Sequence, residues 1–282
     1  MTKDADPVEA GTPAATPVLP CLKRQFPFRL GTTSYIIPAD LAANLRLLGP
    51  CLDEVELVLY ECAAGHNLPT PAEVRELAAL AVDLELRLNV HLPGDLFFAD
   101  PEPRRRRQFC DTALRFYERT LPLQPTAYIL HLDSRWADGT VESDPQVWHH
   151  RLAAALTTLQ DQGMDLQQVL VENLEYPLAR LLPLAETFQL GLCLDVGHLL
   201  RYDHDVASHL DEFLEHCPMV HLHGVNQGED HLGVQHLPEA LWDLIRRQLA
   251  AYQGTVLLEI FSLHDLLPSL ERMEQLRQGD SK

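Results

Sequence analysis

The sequence predicts a single (β/α)8 barrel, an α/β fold of the TIM-barrel class, and three observations carry that expectation. From residue 28 onward a short β-rich apolar run is followed by a loop and then a helix-period segment, and this unit occurs eight times. Several of the runs, among them VELVLY, AYILHL and TVLLEI, are nearly continuous in apolar residues, as parallel strands covered on both faces are. Eight such units match a barrel of ~250 residues. The alternative, a doubly wound open sheet, usually opens on a glycine-rich turn of the G-x-G-x-x-G kind, and Leu30-Gly31-Thr32-Thr33-Ser34 is not one.

The expected strands are Phe28–Ile36, Glu54–Glu61, Arg87–Pro93, Ala127–Ser134, Val169–Glu175, Gly191–His198, Met219–Val225 and Thr255–Phe261. Helices alternate with them. Leu41, Leu45 and Leu48 line the first, which stops at Gly49-Pro50. Thr70-Pro71-Ala72-Glu73 opens the second with a Thr cap, a Pro at the first helical position and a Glu spaced for a capping box. Val74, Leu77, Ala78 and Ala81 then recur at helical spacing. Phe109, Ala113, Phe116 and Leu121 mark a third helix, and Leu152, Leu156 and Leu159 a fourth that ends near Gly163. Later stripes are Leu210, Phe213, Leu214 and Cys217, then Leu241, Leu244, Ile245 and Leu249 after Pro238, then Leu266, Leu270, Met273 and Leu276 with Pro268 near their start.

Residues 1–20 mix Pro, Ala, Thr and acids, with no basic segment followed by an apolar run. They do not form a secretory signal, and residues 1–27 read as a disordered or extended leader to one catalytic domain over 28–282. No window approaches eighteen uninterrupted apolar residues, so no membrane-spanning helix is expected. The six cysteines contain no C-x-x-C pair, which argues for reduced thiols in a cytoplasmic protein and against a disulfide scaffold. Lys and Arg number 22 against 41 Asp and Glu, a formal charge of −19. That balance excludes nonspecific binding to a nucleic-acid backbone and attraction to an anionic membrane.

In such a barrel the chemistry sits at the C-terminal ends of the strands, and the polar residues gather there. Strand two ends in Glu61, strand three carries His91, and strand four carries His131 and Asp133. Strand five has Glu172 and Asn173, and strand six has Asp195 with His198 beyond it. Strand seven has His221 and His223 before a loop with Glu229, Asp230 and His231, and strand eight has Glu259. Neutral imidazoles and carboxylates hold divalent Zn, Mn, Fe or Co. Several carboxylates buried in one mouth without a cation would be costly or would protonate. Any one of these histidines alone is an ordinary structural residue. The spacing His221-x-His223 is more telling, because alternate residues of a strand face one side, and acids or imidazoles at the same end of six consecutive strands are more telling still.

Other residues stay open between two roles. Glu61 is a substrate contact or a helix cap. Thr32, Thr33, Ser34 and Tyr35 end strand one and offer hydroxyls to a substrate or satisfy a turn. Arg104–Arg107, following Phe97-Phe98, touch an anionic substrate or form a solvated helix face, the commoner fate of a basic run. His149, His150 and His204 are expected at the surface.

The strand-five Glu, strand-six Asp-x-x-His, strand-seven His, acid-x-His-Leu-Gly loop and strand-eight Glu resemble the xylose-isomerase-like superfamily, which includes sugar isomerases, epimerases and apurinic-site endonucleases. The resemblance covers residues 28 to 275. Its epimerase branch implies four ligands, here Glu172, Asp195, His223 and Glu259. The additional His91 and His131 favour the endonuclease-like branch with its multi-metal cluster, which implies ligands at His91, His131, Glu172, Asp195, His198, His221, His231 and Glu259. Glu229 stands where that pattern has Asp, and the choices between Glu229 and Asp230 and between His221 and His223 remain open. More specifically, RLGTTSYIIPADLAANLRLLGPCLDEVELVLYE, RLNVHLPGDL and CLDVGHLLRYD resemble the cobamide-remodelling phosphodiesterases. That resemblance implies hydrolysis of a corrinoid's phosphodiester to a cobinamide phosphate and the lower-ligand riboside. It implies about two or three cations as cofactors, with Glu172 and Glu259 bridging them and Glu229 or Asp230 orienting the attacking water. Tyr35, Glu61 and Arg104 are the expected substrate contacts. The rival readings are a one-metal sugar-phosphate isomerase or epimerase, a DNA-repair endonuclease (disfavoured by the charge) and a non-catalytic corrinoid or metal carrier.

Overall fold

A computed structural model describes residues 19–136 and 139–278. Eight parallel strands, β1 (Arg29–Thr33), β2 (Glu54–Val58), β3 (Arg87–His91), β4 (Tyr128–Leu130), β5 (Val169–Glu172), β6 (Gly191–Asp195), β7 (Met219–Leu222) and β8 (Thr255–Leu258), close into a barrel in sequence order. Closure runs from Arg29↔Thr255 to Thr32↔Leu258. The register sets Val58 beside His91 and Asp195 beside His221, so the polar strand ends share one rim.

Around the strands lie α1 (Leu41–Leu48), α2 (Pro71–Asp83), α3 (Pro103–Thr120), α4 (Pro145–Asp161), α5 (Leu182–Phe188), α6 (Val196–Arg201), α7 (Val206–Phe213), α8 (Glu239–Leu249) and α9 (Leu263–Gln278). Their starts follow the local chemistry. Thr70 Oγ1 accepts from the Glu73 amide at 3.3 Å and Glu73 Oε2 from the Thr70 amide at 2.7 Å, the reciprocal pair that the sequence predicts. Asp144 caps α4 by accepting from the Gln146 amide. The apolar stripes, including Leu45, Leu77, Phe116, Trp148 and Leu152, are buried between helices and sheet. Each fully buried side chain of this kind contributes roughly 1.5–3 kcal/mol.

Inside the barrel Ala127, Ile129, Leu170, Cys193 and Met219 form a small separate apolar plug. Toward the N-terminal face the buried Glu54 is fully partnered. Its Oε1 accepts from Asn89 Nδ2 and Thr126 Oγ1, and its Oε2 accepts from Arg29 Nε and Thr255 Oγ1. That carboxylate ties four other strands or their ends to β2, as a buried charge must be tied to be tolerated.

All eight strands end two to four residues before their expected bounds, and two of those ends and the start of the domain matter most. The sixth strand ends at Asp195 rather than His198, because the Asp195 carboxylate accepts the His198 amide at 2.6 Å and starts α6. The second strand ends at Val58, and Glu61 belongs to a short antiparallel hairpin, Glu61–Cys62 with Gly65–His66. Residues 19–27, expected in the leader, pack onto the barrel. Leu22 is wholly buried, Lys23 Nζ donates to the Gly49 and Leu84 carbonyls at 2.8 and 2.5 Å, and the Arg24 amide donates to Asp53 Oδ1. Residues 1–18, the rest of that leader, lie outside the described residues. All six cysteines are free thiols. No helix among the described residues is long and apolar enough to cross a membrane.

Candidate metal centre

The C-terminal rim gathers its imidazoles and carboxylates around Glu172, the last residue of β5. Glu172 is fully buried, with Oε1 2.8 Å from His131 Nε2 and 3.7 Å from His198 Nδ1, and Oε2 3.0 Å from His221 Nδ1. Glu259, just past β8, brings Oε2 to 3.4 Å from His221 Nδ1, 3.5 Å from His231 Nδ1 and 4.0 Å from His223 Nε2. Asp195 lies between, with Oδ1 3.3 Å from His223 Nε2 and Oδ2 3.3 Å from His198 Nδ1. Asn173 braces this corner: its side chain accepts from the Asp195 amide and donates to the Asp195 carbonyl.

Close as these atoms are, they do not satisfy one another. Both oxygens of Glu172, Asp195 Oδ2, Glu259 Oε2, His131 Nε2, both nitrogens of His221, His223 Nε2 and His231 Nδ1 are buried with no aligned hydrogen bond. Unsatisfied groups at this density would be prohibitive in an ordinary core; lone pairs converging without protons between them are what a cation requires. The imidazoles are also oriented for it. His91 Nδ1 faces the Leu92 carbonyl at 2.7 Å, His198 Nδ1 the Asn173 carbonyl at 3.1 Å, and His223 Nδ1 the Gly224 carbonyl at 3.2 Å. A neutral ring that donates there leaves Nε2 as a lone pair for the centre, the arrangement that metal-binding histidines adopt. At His223 the His231 amide, 2.9 Å away, competes for the same nitrogen.

The donors fall into adjoining groups, His91–His131–Glu172, Glu172–Asp195–His198 and His198–His223–His231, the donor atoms of each within 4.8 Å of one another. Two further groups, Glu172–Cys193–His221 and Glu56–His221–Glu259, adjoin them; Glu172 thus enters three groups and His198 and His221 two each, so the centre is a chain of neighbouring positions rather than a single cage.

A profile of the family described as xylose isomerase-like TIM barrel matches residues 46–279. The chain belongs to that family. Comparison with curated proteins finds no match. Among solved structures this xylose isomerase-like barrel resembles a D-tagatose 3-epimerase-like protein, at 19% identity and a TM-score of 0.71 over 89% of this chain and 97% of the other. It also resembles the 3-keto-D-glucoside 4-epimerase of E. coli, at 15% identity and 0.65 over 89% and 99%. Endonuclease IV of Thermus thermophilus aligns at 19% identity and 0.62 over 88% and 99%. At these identities the likeness is one of fold.

The electrostatics of this xylose isomerase-like site follow from its density of charge. Burial opposes ionisation of Glu172 and Glu259, yet the surrounding imidazoles hold both carboxyls well below the usual range. Burial likewise opposes charge on His131 and His223, but Glu172 raises the first to about 9 and Asp195 raises the second to about 9. His221 is raised well above its ordinary value against its burial, by Cys193, Glu56 and Glu259. At His231 burial prevails and the value falls. Without a cation, protons occupy this centre.

The remaining expected site residues divide. His221 and His223 both enter the centre, from opposite sides of Asp195. Of the two loop acids it is Asp230 that approaches, 4.0 Å from His231 and ion-paired with Arg201 of α6. Glu229 is exposed, and no hydrogen bond or ion pair among the described residues ties it to the centre, because the hairpin Gly224–Asn226 with Glu229–Leu232 turns it outward. Glu61 is bound by Arg115 of α3 rather than by the centre. Arg104 is exposed at the start of α3, on the solvated face. Tyr35 is exposed at the end of β1, edge-on to Tyr60 with ring centroids 6.3 Å apart. Of the histidines expected at the surface, His149 and His204 are half-buried and bind the Arg180 and Glu175 carbonyls. Sequence reasoning missed Glu56, buried inside β2 and 3.3 Å from His221 Nε2. It also missed Phe261, whose exposed ring stands edge-on to His231 at 5.1 Å. The alternation of Glu54 and Glu56 in a strand was the available signal, since it puts both on one face.

Proposed function

We propose that the protein is a metal-dependent phosphodiesterase that opens the nucleotide loop of a cobamide, releasing cobinamide phosphate and the lower-ligand riboside. The observation that carries the hydrolytic reading is the surplus of donors. Beyond Glu172, Asp195, His223 and Glu259, the set sufficient for a one-metal epimerase, His91, His131, His198, His221 and His231 also turn ring nitrogens toward the same centre. The corrinoid is the substrate implied by the motifs around Gly31, His91 and Asp195.

In this reading Glu172 and Glu259 would help to hold the cations, with His91 and His131 as donors at one end of the chain and His198, His223 and His231 at the other. Bound divalent cations supply Lewis acidity toward the phosphoryl oxygens and a water of lowered pKa. The carboxylates stay ionised among the imidazoles and hold their charge without rearrangement, which is preorganisation of the kind that lowers barriers. Asp230, fixed by Arg201 beside His231, is the acid placed to orient an incoming water. Phe261 and the Tyr35–Tyr60 pair give the rim flat apolar faces suited to a broad conjugated ring. The charge of −19 favours a small substrate over a polyanionic nucleic acid.

The test is direct. The chain reconstituted with Mn2+, Zn2+, Fe2+ or Co2+ is incubated with an adenosylated cobamide and the products are separated. Cobinamide phosphate and a riboside are expected, and intact cobamide with every cation contradicts the reading. The second reading, a sugar epimerase with Glu172 and Glu259 exchanging a proton, draws support from the epimerase structures of the same fold. It requires one cation per chain and turnover of a ketose.

A further inference from the structure

We infer that Glu56 is a positioning residue, a carboxylate that accepts a hydrogen bond from His221 Nε2–H and so turns His221 Nδ1 toward the cation centre. The inference rests on the reading of that centre as a cation site, and it concerns a residue inside β2 below the rim.

His221 differs from its neighbours. His91, His198 and His223 each set Nδ1 within reach of a backbone carbonyl, and His223 turns Nε2 to Asp195 Oδ1. His221 is reversed. Its Nδ1 meets Glu172 Oε2 at 3.0 Å, Glu259 Oε2 at 3.4 Å and Asp195 Oδ2 at 3.8 Å, while Nε2 points down the barrel. A neutral imidazole carries one ring proton, so a cation at Nδ1 requires that proton on Nε2. The ring is fully buried, and no backbone carbonyl is bonded to that nitrogen. The Cys193 thiol also lies beside the ring, and the carboxylate within reach of Nε2 is Glu56 Oε2, at 3.3 Å.

Among the described residues Glu56 has no hydrogen-bond partner, and its neighbours in the donor set are His221 and Glu259. It is fully buried and both carboxylate oxygens lack an aligned hydrogen bond. Glu54, two residues earlier on the same face, has its own oxygens filled by Arg29, Asn89, Thr126 and Thr255. A structural acid in this barrel is therefore saturated with donors, and Glu56 is not. The one donor that the geometry offers it is the His221 ring. Carboxylate–histidine–metal relays of this form fix the tautomer and the ring orientation, and their loss costs about 10–100-fold in metal affinity.

The experiment uses the full chain, with ring-nitrogen NMR of His221 in the metal-free and Zn2+-loaded protein and Zn2+ affinity measured by chelator competition. Wild type is expected to show a protonated, hydrogen-bonded Nε2 in both states. Glu56→Leu, which removes the acceptor, should lose that hydrogen-bonded proton signal and bind Zn2+ about 10–100-fold more weakly. Glu56→Gln, which keeps a carbonyl oxygen, should retain the signal and recover most of the affinity, a rescue that loss of packing alone would not produce. An unprotonated Nε2 in wild type overturns the inference, and so does unchanged Zn2+ affinity in Glu56→Leu. If Glu56→Leu does not fold, the wild-type nitrogen and Glu56→Gln still decide. Wild type that takes up no Zn2+ would defeat the cation centre instead, while a hydrogen-bonded Nε2 proton signal present in metal-free wild type and unchanged in Glu56→Leu would still overturn the role of Glu56, and its loss there would support it.

Discussion

Replacing Glu172 by Gln should destabilise the cation-free protein in a strongly pH-dependent way. Glu172 is fully buried and approached by His131 at 2.8 Å, His221 at 3.0 Å and His198 at 3.7 Å. Its folded pKa is depressed, so its contribution is present above the unfolded value of about 4.5 and is lost as pH falls through the lower folded one. The His131 pKa is raised from 6.5 to about 9, so its contribution is complete below 6.5 and disappears as pH rises through 9. Both are at full strength between about pH 4.5 and 6.5. In that window an amide leaves buried imidazolium groups without their counter-charge, a loss of roughly 3–5 kcal/mol. At pH 9.5 the imidazole of His131 is mostly neutral, and the loss should shrink by about 1 kcal/mol or more, while His221, raised well above its ordinary value, keeps the remainder. Denaturant unfolding of wild type and Glu172→Gln at pH 6 and pH 9.5, with chelator present, measures both numbers. Equal losses at the two pH values, or a variant more stable than wild type at pH 6, would refute the electrostatic account.

Two further outcomes follow from the same geometry. A methyl group at Gly197 would lie 2.1 Å from His223 Cε1 and 2.3 Å from both ring nitrogens, so Gly197→Ala must displace that ring from Asp195. Overpacking should cost about 1–3 kcal/mol in denaturant unfolding, and cation affinity measured by chelator competition should fall by about tenfold or more; unchanged affinity would remove His223 from the centre. Cations and protons also compete for the nitrogens of His131 and His223, both near 9 when cation-free. The rise in melting temperature on adding Zn2+ should therefore be larger at pH 8 than at pH 6, and an equal rise would mean that these imidazoles are not ligands.

The barrel was legible in the sequence because its strands are apolar on both faces and its helices carry explicit start signals, as at Thr70-Pro71-Ala72-Glu73. Strand ends were less legible. Asp195-x-x-His198 reads as a continuing strand by composition, but a carboxylate that binds the amide three residues on starts a helix, and His198 reaches the centre from α6. Most of the centre could be read because acids and imidazoles recur at one end of consecutive strands. Glu56 could not, since a glutamate in the middle of VELVLY signals only its face, and its importance comes from an orphaned carboxylate that appears once β7 is packed against it. Glu229 and Asp230 were indistinguishable for a related reason. The turn of the hairpin decides which of two adjacent acids meets Arg201 and which faces water.

As proposed, one chain of shared donors holds more than one cation. Anomalous diffraction from crystals loaded with Mn2+ or Zn2+ should then show two or more scattering peaks at the barrel mouth, with Glu172 contacting at least two of them. A single peak confined to Glu172, Asp195, His223 and Glu259, or no peak in that mouth, would contradict it.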